Sequence, residues 1–410
     1  MAGLSACSDS GATTTDSEGR TVVELWNIQT TEPSKSVWPE RVKAFEAKNS
    51  KVRIKLVTLE NDAYKSKMTA RTSSGKLPDI YHTWGGGVLR QQIDAGLVED
   101  LTPTVSPMAP TFIPASLKPY EFDGKTYAMP IDIGAVGFWY NKALFAKAGL
   151  TAPPATWADY LDAVRRLKSA GITPIALAGK EKWPGMYYWA YLSMRVGGVD
   201  SMQEAADAED FTGDSFLKAG EHLKELVALE PFQKGFLGAG YSTPNGEAAV
   251  MGNGEAAMEL MGQWGPNVQA DSGKGIGEDL GFFPFPAVAG GKGARTDVFG
   301  GGGGYAVRKG APQAAVDFLK FFMSPESDRV LVSEAEMMPV VKEAVGALTD
   351  PGLKAVSETL GRATGFQLYL DQAYPPAVGQ EINDSVAALI AGTKSPEQVA
   401  RSVTQVAKSQ

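Results

Sequence analysis

Aromatic rings and planar polar groups occur together in several short segments of this sequence, and such pairs can bind a ligand. Trp26–Glu32 combines a tryptophan with amide and carboxylate groups, and Tyr81–Gly87 places a histidine and a tryptophan before three glycines. Trp183–Trp189 holds four aromatic residues. Flat rings pack on apolar C–H faces, whereas carboxylates and amides suit hydroxyl groups. The pattern therefore favours an uncharged ligand that carries both kinds of surface, as a sugar does.

Scarce residues exclude several kinds of active site. The chain has one cysteine, Cys7, so it cannot form an intrachain disulfide or a zinc site built from several thiolates. The chain has two histidines, His82 and His222, so a histidine-based metal site or a catalytic triad would have to use one of these two residues. We expect His82 to be a structural polar group and His222 to lie on the surface of a charged helix. No metal and no cofactor are expected.

Composition indicates a globular protein of more than one domain. The 410 residues are 43% hydrophobic and 21% charged, and the formal net charge is −8 at pH 7. At about 150 residues per domain, this length gives about two to three domains. The acidic balance argues against binding to nucleic acid or to an anionic membrane surface. No apolar run reaches about 18 residues, the length that would cross a bilayer.

The first residues resemble the signal of a bacterial lipoprotein. Leu4–Cys7 looks like a lipobox, in which a signal peptidase cuts before a cysteine that is then lipidated. The residues up to 20 are small and polar, and we expect 1–20 to be a lipobox remnant and a flexible, disordered tether. No basic and apolar segment precedes Leu4, so a shortened signal peptide is expected. A chance quartet of small residues with a free thiol is the alternative.

Hydrophobic periodicity predicts alternating strands and helices at the start of the chain, which indicates an α/β domain with a mainly parallel sheet. The five predicted elements are Thr21–Trp26, Val37–Lys48, Val52–Val57, Asp62–Ser74 and Asp79–Tyr81. The pattern restarts after Pro130. Further along, Glu255–Met261 is predicted as a helix, and the C-terminal third is mostly helical.

Local signals predict one turn and two helix starts. Asp123-Gly124 is typical of a hairpin turn between short strands. Thr156 is predicted as the N-cap of a helix that begins at Trp157, and Ser395 as the N-cap of the last helix.

Several motifs, taken in order, resemble the extracellular solute-binding proteins of bacterial carbohydrate ABC importers, the family that includes the maltose-binding protein. The matching segments are Leu25–Asn27, Gly75–Ile80, Phe122–Pro130, Phe138–Lys142, Gly301–Val307, Phe318–Pro325 and Met338–Val340. The most specific is Phe122–Pro130, which is similar to the family's D-G-K-x-Y-x-x-P. Leu368–Gly379 looks like the actinobacterial branch that takes up xylo-oligosaccharides.

The resemblance implies a type II periplasmic-binding-protein-like α/β fold of two lobes around a cleft, with a helix-rich C-terminal part. The expected lobes are 21–131 plus 283–324 and 132–282 plus 325–410. Crossings are expected near Pro130–Gly134, Leu280–Phe283 and Ser324–Glu326. The partners implied are a neutral oligosaccharide and an ABC permease, and the protein would sit outside the cell, bound to the membrane only through the lipid on Cys7.

Resemblance and residue types together predict a ligand site in the cleft. Similarity to the family's G-x-W stretch makes Trp264 the preferred stacking platform. Asp132, at the first crossing, can accept hydrogen bonds from hydroxyls, and a structural hydrogen bond at the hinge is the alternative reading. Glycine permits a close approach of backbone to ligand. The predicted ligand-binding residues are Asn27, Gln29, Glu32, Trp84, Gly85, Asp132, Trp183, Tyr187, Trp264, Gly302, Gly303 and Asp371.

Other functions stay open on sequence grounds. Two of the carboxylates of Glu32, Asp132 and Asp371 could converge as the catalytic pair of a glycoside hydrolase, about 5–5.5 Å or about 6.5–9.5 Å apart. The same fold could bind cello-, malto- or N-acetylglucosamine oligomers. It could also bind a peptide, an amino acid or phosphate, although the candidate loops hold almost no arginine for an anion. A structural cell-wall lipoprotein is a further alternative.

Overall fold

A computed structural model describes residues 14–410, so the lipidation site predicted at Cys7 lies outside the described residues. The predicted disorder of the tether does not extend to residues 14–20, which form a turn. The Val22 N–H donates to the Thr14 carbonyl at 2.8 Å, and Arg20 forms an ion pair with Asp16 at 2.7 Å. No helix in this described part of the chain is long and apolar enough to cross a membrane.

The described residues fold into alternating strands and α-helices. The strands are β1 Thr21–Asn27, β2 Val52–Thr58, β3 Ile80–Thr83, β4 Glu121–Phe122, β5 Lys125–Thr126, β6 Ala128–Pro130, β7 Gly134–Ala135, β8 Gly137–Asn141, β9 Thr173–Ile175, β10 Ala256–Met261, β11 Leu280–Phe283, β12 Val298–Gly301, β13 Gly304–Val307 and β14 Phe366–Leu368. The helices are α1 Ser34–Lys48, α2 Asn61–Ser73, α3 Gly86–Asp94, α4 Thr102–Val105, α5 Pro114–Leu117, α6 Lys142–Lys147, α7 Trp157–Ser169, α8 Trp183–Gly197, α9 Asp200–Asp207, α10 Asp214–Ala228, α11 Glu247–Gly252, α12 Gly265–Ser272, α13 Gln313–Phe322, α14 Pro325–Glu334, α15 Pro351–Gly361, α16 Leu370–Ala373, α17 Pro376–Ile390 and α18 Pro396–Ala407.

A five-stranded sheet forms the centre of the first lobe, in the order β2-β1-β3-β13-β6. β1 runs parallel to both β2 and β3, as the opening β-α-β-α-β pattern predicts. Its apolar side chains Val23 and Leu25 are fully buried because helices cover the sheet. β13 arrives from much later in the chain and lies antiparallel between β3 and β6.

A four-stranded sheet forms the centre of the second lobe, in the order β11-β8-β10-β9. The helix predicted at Glu255–Met261 is wrong, since Ala256–Met261 is the strand β10, between β8 and β9. All six of its residues are buried. A short apolar run that is buried on both faces has no period that separates strand from helix, which explains the error.

A three-stranded sheet, β14-β12-β7, lies where the chain passes between the lobes. β6 ends at Pro130 in the first sheet and β7 begins at Gly134, so the chain leaves the first lobe there. The return lies later than predicted: Leu280–Phe283 pairs with β8 inside the second sheet, and the first sheet is rejoined only at β13. The strand pairing is decided by contacts that the local sequence does not contain.

The last crossing also lies later than the predicted Ser324–Glu326. α14 packs against α1 of the first lobe, and the Ile113 N–H donates to the Val340 carbonyl at 2.8 Å. The chain therefore stays with the first lobe through about Val341. α15 then packs on β11 and β7, which brings the chain to the second lobe.

Candidate functional site

A cavity of about 340 Å³ lies between the two lobes. The first lobe contributes α2, the end of β3 with Trp84, and α3. The second lobe contributes Lys180–Trp183, α16 and α17. Its position matches the cleft that the sequence predicts, and its wall mixes aromatic, amide, hydroxyl and charged groups.

Two tryptophans line the cavity from opposite lobes. Trp84 follows β3, and its ring lies nearly perpendicular to the His82 ring, with ring centres 4.5 Å apart. Trp183 begins α8, and its ring centre lies 5.4 Å from those of both Tyr187 and Tyr241. Of the residues predicted to bind the ligand, Trp84, Trp183 and Asp371 line this cavity.

His82 also lines the cavity, although the sequence favours a structural role for it. Its side chain is buried, and neither ring nitrogen has a hydrogen-bond partner. Burial, together with the nearby Lys65 ammonium, lowers the pKa of His82 from 6.5 to about 3, so the imidazole is uncharged at neutral pH. A neutral imidazole donates a hydrogen bond from one ring nitrogen and accepts one at the other. A hydroxyl group, which also both donates and accepts, can bind at either nitrogen.

An ion pair joins the lobes at the cavity. The Lys65 ammonium of α2 lies 2.7 Å from a carboxylate oxygen of Asp371 on α16. The ammonium also lies 5.1 Å from the ring centre of Trp84. Asp371, predicted as an acceptor for ligand hydroxyls, thus already has a cationic partner. Sequence analysis missed Lys65 because one lysine on a polar helix carries no distinguishing signal.

Asp132 lies at the hinge, where the chain passes from β6 to β7. Its Oδ2 accepts a hydrogen bond from the Gln263 side-chain amide at 2.5 Å, and its Oδ1 has no partner. Burial raises the pKa of Asp132 to about 7, and the hydrogen bond from Gln263 opposes that rise. The hydrogen bond supports the alternative, structural reading of this residue, and contact of Asp132 with a ligand stays a prediction.

A row of aromatic rings connects Trp264 with the cavity. Trp264 is partly exposed and meets Tyr369 edge-on, with ring centres 6.1 Å apart. Tyr369 stacks on Tyr187 at 5.9 Å, and Tyr187 in turn contacts Trp183. Tyr369 was not singled out from the sequence, although it lies within the stretch that resembles the xylo-oligosaccharide branch. Its buried hydroxyl has no hydrogen-bond partner.

The predicted glycines are required by close packing of the chain on itself. A Cβ at Gly85 would lie 2.2 Å from the Pro119 carbonyl oxygen, and one at Gly302 would lie 1.9 Å from that of Asp132. A Cβ at Gly303 would lie 2.5 Å from the His82 ring. These distances are far below van der Waals contact. Protein atoms, rather than a ligand, therefore lie against these glycines, where the sequence predicts a close approach of the ligand.

The loop after β1 lies outside the cavity lining. Asn27 is buried, and its side-chain oxygen accepts from the Gln29 N–H at 2.8 Å, which closes a local turn. Glu32 is exposed. Trp26 is buried at the end of β1. Contact of Asn27, Gln29 and Glu32 with a ligand stays a prediction.

No cluster of three or more His, Cys, Asp or Glu side chains that could hold a metal ion occurs within residues 14–410.

Residues 29–329 match the family described as bacterial extracellular solute-binding protein. The chain belongs to this family. A probable sugar-binding periplasmic protein of Mesorhizobium japonicum is 27% identical to it over 81% of this chain and 79% of the relative. The predicted recognition of a solute-binding protein is therefore confirmed.

Two solved structures extend the likeness to the whole fold. One comes from work on xylan utilization by the thermophilic bacterium Caldanaerobius polysaccharolyticus; it is 28% identical, with a TM-score of 0.85 over 94% of this chain and 99% of the other. The other is a chitin oligosaccharide binding protein, 27% identical, with a TM-score of 0.88 over 95% and 98% of the two chains. The predicted two-lobe α/β fold is confirmed.

Proposed function

We propose that this protein binds a short neutral oligosaccharide between its lobes and delivers it to the permease of an ABC importer. The observation that carries the proposal is the cavity with Trp84 on one lobe and Trp183 on the other. Two rings offer apolar faces to pyranose C–H groups, and the polar groups between them suit hydroxyls. A ligand held this way contacts both lobes, which is the condition for favouring the closed form.

The proposed ligand is a xylo-oligosaccharide such as xylobiose. Support comes from the neighbour studied for xylan utilization and from the resemblance of Leu368–Gly379 to the xylo-oligosaccharide branch. A cavity of about 340 Å³ is near the lower end of ligand pockets, about 300–1,000 Å³, which suits a short ligand. An N-acetylglucosamine oligomer is the second candidate, because the chitin oligosaccharide binding protein is equally similar in sequence and fold.

We also propose that the protein is anchored outside the cell by a lipid on Cys7. The support is the Leu4–Cys7 lipobox resemblance and the extracellular nature of the family. Mass spectrometry of the protein extracted from membranes of the producing cells would test it. A diacylglyceryl adduct on Cys7 is expected, and an unmodified cysteine would contradict the anchor without affecting ligand binding.

A thermal-shift screen tests the ligand proposal. Xylo-, cello-, malto- and chito-oligosaccharides of two to four units would be added at matched concentrations. A ligand that binds only the folded state raises the melting temperature. At a free ligand concentration of 100 times Kd, it stabilises the folded state by about 2.7 kcal/mol. A rise with xylobiose or xylotriose is expected. A rise with chito-oligosaccharides alone would transfer the assignment to the second candidate, and no rise with any series would contradict the function.

A cleavage assay separates binding from catalysis. Each oligosaccharide that stabilises the protein would be incubated with it and then analysed by chromatography. Unchanged oligosaccharide is expected, since no bond is broken by a binding protein. Shorter products would instead support the glycoside hydrolase alternative.

A further inference from the structure

An ion pair between Lys65 and Asp371 lies in the wall of the cavity. Lys65 lies on α2 of the first lobe, and Asp371 lies on α16, which packs against α17 of the second lobe. The two side chains are 30% and 10% exposed, so solvent screens their charges only partly. Both line the cavity, and the Lys65 ammonium also faces the Trp84 ring.

The other charges around the cavity balance one another. Asp62 and Glu181 are the remaining acids of the lining, and Lys180 and Lys182 are the remaining bases. Lys182 is itself paired with Asp384 at 2.5 Å, and no arginine is among the described lining residues. The buried imidazole of His82 is uncharged at neutral pH and adds nothing to this balance. The cavity therefore offers no surplus positive charge to an anionic ligand.

We propose that Lys65 and Asp371 together determine specificity for uncharged saccharides and reject saccharides that carry a carboxylate. The Asp371 carboxylate is already paired with the Lys65 ammonium, so that ammonium is not available to a ligand carboxylate. The negative charge of Asp371 would also repel a ligand carboxylate at close range. Lys65 keeps its remaining N–H donors for ligand hydroxyls. This inference rests on the proposed saccharide function and adds the charge class of the ligand and the two residues that enforce it.

Two xylotriose derivatives of equal size test the proposal. Oxidation of the reducing end gives xylotrionic acid, and reduction gives xylotriitol, so the pair differs in charge. Calorimetric titration of the wild-type protein at pH 7 should show that the alditol binds about tenfold or more tightly than the acid. Asp371→Asn should narrow that ratio by about tenfold or invert it, because Lys65 becomes available to the acid.

The matched control is the double variant Lys65→Met/Asp371→Asn. This variant removes both charges, so the acid has no ammonium to bind. The ratio of alditol affinity to acid affinity should therefore be higher than in Asp371→Asn alone. Melting temperatures without ligand would establish that each variant is folded. A double variant with the same ratio as Asp371→Asn would contradict the role of Lys65.

A smaller probe decides the matter if modification of the reducing end abolishes binding of both derivatives. Sodium glucuronate and glucose, with sodium chloride to match ionic strength, would be compared by thermal shift. In Asp371→Asn, glucuronate should raise the melting temperature more than glucose does. In the wild-type protein and in the double variant, glucuronate should raise it no more than glucose does. The same difference between the two sugars in wild type and in Asp371→Asn would overturn the inference. Failure of every neutral saccharide to bind would instead overturn the proposed function.

Discussion

The Asp132 carboxylate accepts a hydrogen bond from the Gln263 side-chain amide, which joins the end of β6 in the first lobe to the end of β10 in the second. The two residues are 131 positions apart. The contact makes Asp132 a part of the hinge as well as a candidate for ligand binding. It also keeps a carboxylate buried, which has consequences for stability.

Asp132→Asn should make the ligand-free protein less sensitive to pH. Burial raises the pKa of Asp132 from 3.8 to about 7, so the stability that this group contributes is fully present below pH 4 and is lost as the pH rises towards 7. At about 1.4 kcal/mol per pKa unit, the rise from 3.8 to about 7 corresponds to a loss of about 4 kcal/mol. The amide does not ionise, and the variant should melt higher than wild type at pH 8 and about equally at pH 4.

Melting curves from pH 4 to 8 measure this difference, with Glu204→Gln, an exposed residue on α9, as the control that should follow wild type. A variant whose difference from wild type is the same at every pH would contradict the buried, neutral form of Asp132. Asp132→Ala additionally tests ligand contact, because loss of an acceptor for a hydroxyl costs about 1–3 kcal/mol of binding.

Trp84→Ala should weaken oligosaccharide binding because the ring forms one apolar wall of the cavity. Loss of a large buried contact costs about 1.5–3 kcal/mol, which is about 10- to 150-fold in Kd. Titration calorimetry measures the change. Phe366→Ala, on the exposed edge strand β14, is a matched aromatic control that should leave Kd unchanged. A folded Trp84→Ala variant with wild-type affinity would exclude stacking on this ring.

Trp264→Ala should also weaken binding, by about tenfold or more, if the ring stacks on a sugar face as the G-x-W resemblance predicts. The Trp264 ring is partly exposed. The rings of Tyr369, Tyr187 and Trp183 form a row of contacts between it and the cavity. Comparing xylobiose with xylotetraose would locate the contact. A normal Kd for both sugars would leave Trp264 with a packing role alone.

Gly87→Ala should hinder closure of the lobes without unfolding either one. Gly87 lies in α3, where alanine is well tolerated, but its Cβ would lie 2.6 Å from the Tyr374 carbonyl. Tyr374 belongs to the second lobe, where its hydroxyl donates to the Met202 carbonyl at 3.0 Å. We therefore expect weaker ligand binding and less compaction by small-angle scattering at saturating sugar.

Gly213→Ala is the matched control for closure, because a Cβ there meets no atom within 4 Å. It should bind and compact like wild type. Normal compaction in Gly87→Ala would show that closure does not require the contact between α3 and Tyr374.

Arg195→Met should destabilise the second lobe while leaving the ligand site intact. Arg195 is fully buried in α8, and its guanidinium donates to four backbone carbonyls, those of Phe285, Pro286, Arg295 and Asp297, at 3.0–3.2 Å. Removing those donors leaves buried carbonyls unpaired, which should cost about 3–5 kcal/mol. Urea denaturation measures the loss, and the exposed Arg165→Met is the control. A loss no larger than that of the control would contradict this role.

Local structure followed from the sequence wherever neighbouring residues decide it. Asp123 and Gly124 both have positive φ and join β4 to β5 in the predicted hairpin. Thr156 and Ser395 are the N-caps that the sequence predicts, and each forms a capping box with the residue three positions later. These features depend on hydrogen bonds and backbone preferences within about four residues, which the sequence displays directly.

Tertiary structure decided which side chains meet at the cleft. Lys65 and Asp371 are 306 positions apart, and their contact depends on how α2 and α16 are carried by separate lobes. The sequence identified Trp84, Trp183 and Asp371 by residue type, but it had no means to find Lys65 or to see that Gly302 packs on Asp132. Periodicity and motifs determined the elements and the family, because these are properties of short segments. Pairing between distant segments, and the burial that shifts the pKa of Asp132, arise only when the whole chain has packed.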